Sequence, residues 1–480
     1  MLARLSALLI LTIAAYAAPL QAATDIDKES LRLRAEMLER IRRDKLDFVL
    51  PGAMRSNGVD MWIHVIRKGD IDPLRPHFGD ASGYLIFTDR GGDRIERAIF
   101  GDGGHPDLFD IQGSDAVAYA IAGYPQFLSD PKIYDEITAF IAERDPQVIA
   151  LNYSDHYAIA DGISSSRLAT LKGIIGEKYA ARLTSAESLI TDFRVRRVGS
   201  EVDAFKRALV VHRRILERAL TREVITPGVT TLADVGWWVA EEKYRLGLTA
   251  EISTDIDIPR ILYSAVTTTS AAPDARWWLS DDDYVLQRGD FLTYDISVRY
   301  LDYFTTDFKR NAYIMREGET EIPASIQTAF SNAIKAHDVM RPHIIVGQTA
   351  KETLDALVAA LEQYGYIYTP FIDVGTEDYR ILQQALEGSS QPGFSIDLHA
   401  VGNNGGTLVT LGASVAPFRS DRFDLVIQNN HLFSFEYMVH TNLPERPGFP
   451  MSINIEGNHM VTEQGVEYLH PRNLKILQIH

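Results

Sequence analysis

Five short stretches between residues 291 and 456 alternate strictly, and each sets an acid or a histidine against an apolar face. In Phe291–Val298, extended by Tyr300, one face takes Leu292, Tyr294, Ile296, Val298 and Tyr300; the other takes Thr293, Asp295, Ser297 and Arg299. Side chains of a strand point to opposite faces in turn, so such a stretch buries one side and presents the other. Asp302 sits in a turn, and the chain returns through Phe304–Lys309 with Asp307 on its polar face. The two acids are 12 residues apart, and a hairpin is expected to set them side by side. Three later strands repeat the pattern: Phe394, Ile396 and Leu398 against His399; Phe433, Phe435 and Tyr437 against Glu436; Ile453 and Ile455 against Glu456.

Taken singly, an acid in such a place is an ordinary solvent-facing residue, and a histidine is an ordinary core residue bonded to a carbonyl. Five in one half of the chain suggest convergence. Carboxylates brought together repel, and burying them unpaired is costly, so a convergent set calls for bound cations. Four carboxylates and one imidazole suit manganese, zinc, cobalt or iron better than copper. They exceed what one catalytic zinc normally uses, whereas two bridged ions about 3.5 Å apart would use all five.

In this arrangement the sequence resembles the pita-bread metallopeptidases: aminopeptidase P, prolidase, methionine aminopeptidase and creatinase. The motifs are Gly289-Asp290 leading to Asp295, Thr306-Asp307 with Arg310, His399-Ala400-Val401-Gly402, Phe435-Glu436, and Ile455-Glu456-Gly457-Asn458 running into Val461-Thr462-Glu463-Gln464-Gly465. The resemblance covers about residue 195 to the end. It extends more weakly to a creatinase-like N-terminal domain through Ile159-Ala160-Asp161-Gly162. It implies an α+β protein: a signal peptide over 1–22, a creatinase-like α/β domain over 23–194 and a pita-bread domain over 195–480.

The resemblance also implies roles. Asp295 would chelate one ion, Asp307 and Glu456 would bridge two, and His399 and Glu436 would hold the second. Glu436 would act as general base and proton shuttle, with His399 beside it in the catalytic set. A water bridging two divalent ions, manganese first among the candidates, would become the hydroxide that attacks the peptide bond. The implied activity is an Xaa-Pro aminopeptidase. A non-peptidase hydrolase or lyase on the same fold, as in creatinase or a sulfonium-propionate lyase, and an inactive binding homologue are the alternatives.

Departures from the family pattern bear on substrate. The acids stand one residue further apart than usual, and Ser297 replaces a small glycine. Gly406, seven residues beyond His399, stands where relatives carry a substrate-contacting histidine, and Ala275–Leu279 lacks another. Losing one such donor typically costs about 100-fold or more in rate. His431, His440 and His459 are the histidines left to replace them; the ordinary reading of each is a surface or supporting residue. Trp277-Trp278 is an aromatic pair suited to a cationic ligand, which would favour the non-peptidase alternative.

The remaining features narrow the setting. Arg4, the apolar Leu5–Ala18 and the small residues Ala22 and Ala23 read as a secretory leader, too short for a spanning helix. With no cysteine in the chain, disulfides and thiolate chemistry are excluded, and export to a bacterial periplasm is expected. A net charge of −17 argues against nucleic acid, and no membrane partner is expected once the leader is cleaved. A small peptide substrate and a homodimer are the expected partners. Gly412-Ala413-Ser414-Val415-Ala416 lacks the last glycine of a nucleophile elbow, and Gly402–Gly406 follows a ligand strand, as a loop rimming the site would. Helices are expected over 29–49, 165–173, 200–220 and 231–246, with another opened by a Thr349/Glu352 capping box and closed by Gly365. Strands are expected over 84–88, 95–100 and 147–152. The first half shows no convergence of acids and histidines and reads as support, packing or substrate-access structure.

Overall fold

The computed structural model describes residues 30–69, 72–130, 132–248, 264–268, 283–370, 376–403 and 412–480. The expected leader, the Trp277-Trp278 pair and Gly406 lie outside them. The described chain is a mixed α+β protein that divides into two compact units, one formed by Arg32–Val202 and the other by Asp203–Gly402 with Gly412–His480. No helix among the described residues is long and apolar enough to cross a membrane.

The N-terminal unit is built on β1 (Met61–Ile66), β2 (Ser82–Thr88), β3 (Glu96–Asp102), β4 (Ile111–Gln112), β5 (Ile149–Leu151) and β6 (Leu183–Ser185). Their order is β4-β3-β2-β1-β5-β6, antiparallel among β1 to β3 and parallel at the β1–β5 and β5–β6 junctions. The central strands β1, β2 and β5 are buried along their whole length because both sheet faces are covered there. Trp62, Leu85, Phe87 and Ala150 enter one core with the helices Leu50–Ser56 and Glu187–Val195. Met61, Ile63, Tyr84, Ile86 and Ile149 enter a second core with Asp135–Arg144 and Ser165–Ala180. The expected helix over 29–49 is instead Leu31–Asp44, a π-helical turn over Lys45–Val49 and a short helix Leu50–Ser56. The helix expected to end at Gly173 runs to Ala180, with a kink at Gly176, where φ is +74°.

In the C-terminal unit the helices Leu232–Arg245 and Ala350–Gln363 each begin in a reciprocal capping box, Thr231 with Asp234 and Thr349 with Glu352. Gly365, at φ +96°, follows the second. A further helix, Ala324–Met340, was not among the expected elements. Its buried stripe of Ile326, Ala329, Phe330, Ala333, Ala336 and Met340 covers the strands, and Tyr437 Oη donates to its Ala333 carbonyl at 2.8 Å.

Three four-stranded sheets complete this unit. The first has the order β18 (Leu477–Ile479), β9 (Phe304–Ile314), β8 (Asp290–Tyr300), β7 (Ser264–Thr268). The second joins β10 (Ile367–Tyr368), β11 (Gly393–Ile396), β14 (Tyr437–Thr441) and β15 (Met451–Ile455). The third joins β12 (His399–Ala400), β13 (His431–Ser434), β16 (Asn458–Thr462) and β17 (Gly465–Tyr468). The three later strands of the sequence pattern are therefore not continuous. Each breaks and passes from one sheet to the other: β11 to β12 at Asp397-Leu398, β13 to β14 at Phe435-Glu436, and β15 to β16 at Glu456-Gly457. The alternation is kept across the breaks, so Phe394, Ile396, Leu398, Phe433, Phe435, Tyr437, Ile453 and Ile455 share one core.

Candidate metal centre

The breaks carry the chemistry. His399 opens β12, Glu436 lies between β13 and β14, and Glu456 lies between β15 and β16. A bent strand turns its side chain out of the ladder. Three adjacent bends aim these three residues at the polar face of the β8–β9 hairpin.

On that hairpin Asp295 does not face Asp307. The turn Leu301-Asp302-Tyr303 pairs Tyr300 with Phe304, which fixes every later pair: Ser297 opposite Asp307, and Asp295 opposite Lys309. Leu301 and Asp302 both adopt positive φ in this turn. The acids are therefore diagonal neighbours, which corrects the side-by-side expectation.

The five side chains meet, four of them buried and Glu436 nearly so, rather than solvent-facing. Asp295 and Asp307 are 7% and 8% exposed, and His399 and Glu456 2% and 1%. His399 Nδ1 lies 3.2 Å from the Ala400 carbonyl, which sets the ring and turns Nε2 inward. Nε2 stands 3.5 Å from Glu436 Oε2, 3.7 Å from Glu456 Oε1 and 3.8 Å from Asp307 Oδ2. These separations are long for hydrogen bonds. They are close to the edge of a tetrahedron, about 3.4 Å, drawn around an ion with donors at about 2.1 Å. The donors of Asp307, His399 and Glu456 form one potential ion-holding group, and those of Asp397, His399 and Glu436 a second. This side of the cluster fits a divalent cation.

The other side holds an ammonium. Lys309 Nζ donates to Glu456 Oε2 at 2.7 Å and to Glu436 Oε1, and it lies 3.4 Å from Asp295 Oδ2. The sequence reading missed this residue. The available signal was its place two residues after Asp307, on the same polar face.

Supporting groups hold the carboxylates. Ser434 Oγ donates to Glu456 Oε1, and Asn454 Nδ2 donates to Glu436 Oε1 at 3.1 Å. Asp307 N donates to Asn458 Oδ1 at 3.0 Å, and Asn458 Nδ2 donates back to the Asp307 carbonyl. Arg419 approaches Asp397 at 3.2 Å. Asp295 Oδ1 is buried with no hydrogen-bond partner.

Burial and the neighbouring Glu456 and Asp295 charges push Asp307 well above the usual carboxylate range. Burial, with Glu456 and Glu436, does the same to Asp295 against the pull of Lys309. Asp397 is pushed up to about 6 by burial and Glu436. Burial acts to discharge Lys309, but the carboxylates around it outweigh that and hold its pKa well above the ordinary lysine value. Glu436 goes down despite burial, because Lys309 and His399 stabilise its charge. A site that protonates its own acids is short of positive charge.

The three remaining histidines are buried, not at the surface. His440 is bonded to Ser395 Oγ and Ser452 Oγ, at 3.1 and 2.7 Å. His459 Nε2 lies 3.3 Å from His337 Nε2, and the His431 ring packs against Phe433.

No curated protein matches the chain by sequence. Among solved structures, the chain is similar to an X-Pro aminopeptidase from Thermotoga maritima, at TM-score 0.55 and 15% identity over 89% of this chain and 99% of that one. It is similar to an Xaa-Pro dipeptidase from Bacillus anthracis, at TM-score 0.53 and 18% identity over 93% and 99%. A dipeptidase from Pyrococcus horikoshii aligns at TM-score 0.51 and 13% identity over 92% and 100%. These likenesses establish the fold. The family model for metallopeptidase family M24 matches residues 203–463, more than half of the chain and a span that contains all five clustered side chains, and the protein belongs to that family.

Proposed function

We propose that the protein is a metal-dependent aminopeptidase that hydrolyses the N-terminal peptide bond of peptides with proline in the second position. The observation that carries the reading is the pair of donor groups that share His399, one with Asp307 and Glu456 and one with Asp397 and Glu436, with His399 Nε2 3.5 to 3.8 Å from the nearest oxygens of Asp307, Glu436 and Glu456. Those donors would hold a divalent cation, with manganese first and zinc, cobalt or iron next. When bound, the ion would polarise the scissile carbonyl and lower the pKa of a water.

The chain's own residues supply the rest. Lys309 and His399 hold Glu436 in its charged form against burial, and as a charged carboxylate it can take a proton from a water and pass it to the leaving amine. His399, fixed through Nδ1, keeps Nε2 free to ligate. Ser434 and Asn458 hold Glu456 and the Asp307 backbone in place, so the donors are set before substrate arrives. The same five residues are those expected to hold a pair of ions, and the position of Lys309 bears directly on that number.

A second reading, a non-peptidase on the same scaffold, has its own observation. His440 and His459 are committed to Ser395, Ser452 and His337, so neither replaces the substrate-gripping histidines of relatives. One experiment separates the two. The purified mature protein is stripped, reloaded with manganese, cobalt or zinc, and assayed on a panel of Xaa-Pro peptides. Release of the N-terminal residue with metal, and none after chelation, is expected. Bound metal with no turnover on any such peptide would move the assignment to the second reading. Export to a periplasm, a peptide partner and a homodimer go with the first reading as parts of the same proposal.

A further inference from the structure

We propose that Lys309 is a built-in cation occupying one of the two positive positions of the cluster, so that the protein takes a single divalent ion where its family relationship implies a pair. The inference rests on the metal-dependent reading above and concerns how many ions the cluster accepts.

The two glutamates each divide their oxygens between two places. Glu456 gives Oε2 to Lys309 Nζ at 2.7 Å and Oε1 to the side of His399 Nε2 at 3.7 Å. Glu436 gives Oε1 to Lys309 and Oε2 to His399 at 3.5 Å. Both carboxylates therefore bridge two positions, as they would bridge two ions. One position is lined by Asp307 and His399. The other is filled by an ammonium, with Asp295 as its third carboxylate at 3.4 Å.

The filling is a consequence of strand register. Lys309 stands directly opposite Asp295, flanked by the Ser297–Asp307 and Thr293–Asn311 pairs. The neighbouring Asn311 is itself tied to Thr293 Oγ1 at 2.8 Å and to Asn473, so the hairpin is locked on the side where Lys309 emerges. The side chain is 4% exposed.

Charge alone does not decide the count; the oxygens do. Asp295, Asp307, Glu436 and Glu456 carry −4 when ionised. Lys309 and one divalent ion bring the sum to −1. Lys309 with two divalent ions would bring it to +1, with the second ion competing for Glu436 Oε1 and Glu456 Oε2. Those two oxygens and Asp295 Oδ2 are already turned to the ammonium, which fills the space between them that a second ion would need.

The test counts ions. The mature protein is stripped with chelator, equilibrated with excess manganese chloride, freed of unbound metal, and measured by elemental analysis per chain and by titration calorimetry. One manganese per chain is expected for the wild type and for Lys309→Arg, and two for Lys309→Met. Two in the wild type, none in the wild type, or one in a folded Lys309→Met would each overturn the proposal. The wild-type count needs no variant, so a Lys309→Met chain that fails to fold does not remove the test. One ion per chain with no turnover on Xaa-Pro peptides would sink the peptidase reading and leave this one standing.

Discussion

Phe308 separates Asp307 from Lys309 in sequence and points to the opposite face of β9, where it is fully buried. Its ring is stacked between His212, at 3.7 Å and 19°, and His470, at 4.5 Å and 22°. Burial, followed by nearby cations, pushes both histidines well below their usual pKa, so the stack is between neutral rings. His212 is anchored in turn, with Nδ1 2.8 Å from Thr306 Oγ1. This sandwich fixes which face of β9 looks at the metal centre. Replacing Phe308 by Ala removes a buried aromatic side chain, worth about 3–5 kcal/mol. Phe308→Leu keeps most of the volume and forfeits the two ring contacts, worth about 0.5–1.5 kcal/mol each. The expected losses are thus about 4 kcal/mol for Ala and about 2 kcal/mol for Leu. Urea unfolding of both variants with linear extrapolation gives the two numbers, and manganese affinity measured under native conditions gives the consequence for the site. Phe308→Ala should weaken manganese binding more than Phe308→Leu does. Equal losses in the two variants, or a loss under about 1 kcal/mol for Ala, would refute the idea that the stack positions Asp307 and Lys309.

Other expectations can be checked separately. Asp290 is buried, with Oδ2 taking Gln287 N and Tyr284 Oη, Oδ1 unpartnered, and its pKa pushed up to about 6 by burial. A raised carboxyl favours the folded state below its unfolded pKa of 3.8, and that advantage is lost as pH rises through about 6. Relative to Asp290→Asn, the wild type should therefore lose about 2 kcal/mol between pH 4 and pH 7; parallel stability curves for the two proteins would contradict this. Glu436→Gln should abolish turnover while keeping the circular dichroism spectrum of the wild type, and an unchanged rate would remove Glu436 as general base. Thr349→Ala deletes half of a capping box and should cost about 1 kcal/mol in urea unfolding, with no change in metal count. Manganese at about 100 times its Kd should raise the unfolding free energy by about 2.7 kcal/mol, which chelator reverses; an unshifted melting temperature would mean the ion does not prefer the folded state.

Much of the fold was legible because local rules and tertiary packing agree. The Thr231 and Thr349 caps, the turn at Asp302 and the alternating strands are all where short-range chemistry puts them. The helix Ala324–Met340 escaped because half of its buried stripe is alanine, Ala329, Ala333 and Ala336, which thins the pattern of large apolar residues. Small residues are what a helix needs where Tyr437 reaches its backbone from the sheet below. The kink at Gly176, by contrast, has a local cause: its φ of +74° is one that glycine adopts readily.

The site was legible in its parts and not in its arrangement. Alternation put Asp295, Asp307, His399, Glu436 and Glu456 on polar faces, and the structure brings all five together. Alternation is silent on register, however, and register decides who faces whom. A turn of Leu301, Asp302 and Tyr303 places Lys309, and not Asp307, across from Asp295. Had the reverse strand started one residue earlier, every side chain of β9 would have changed face, and the cluster would have lost its ammonium together with Asp307. The strand breaks at Leu398, Glu436 and Gly457 are equally invisible to a period-two pattern, because the core contacts on either side of each break keep the same phase. Those breaks are what turn three separate ligand-type side chains toward one point. The chemistry of this chain therefore depends on two features that composition does not carry: where the strands bend, and which cation the hairpin turn delivers to the acids.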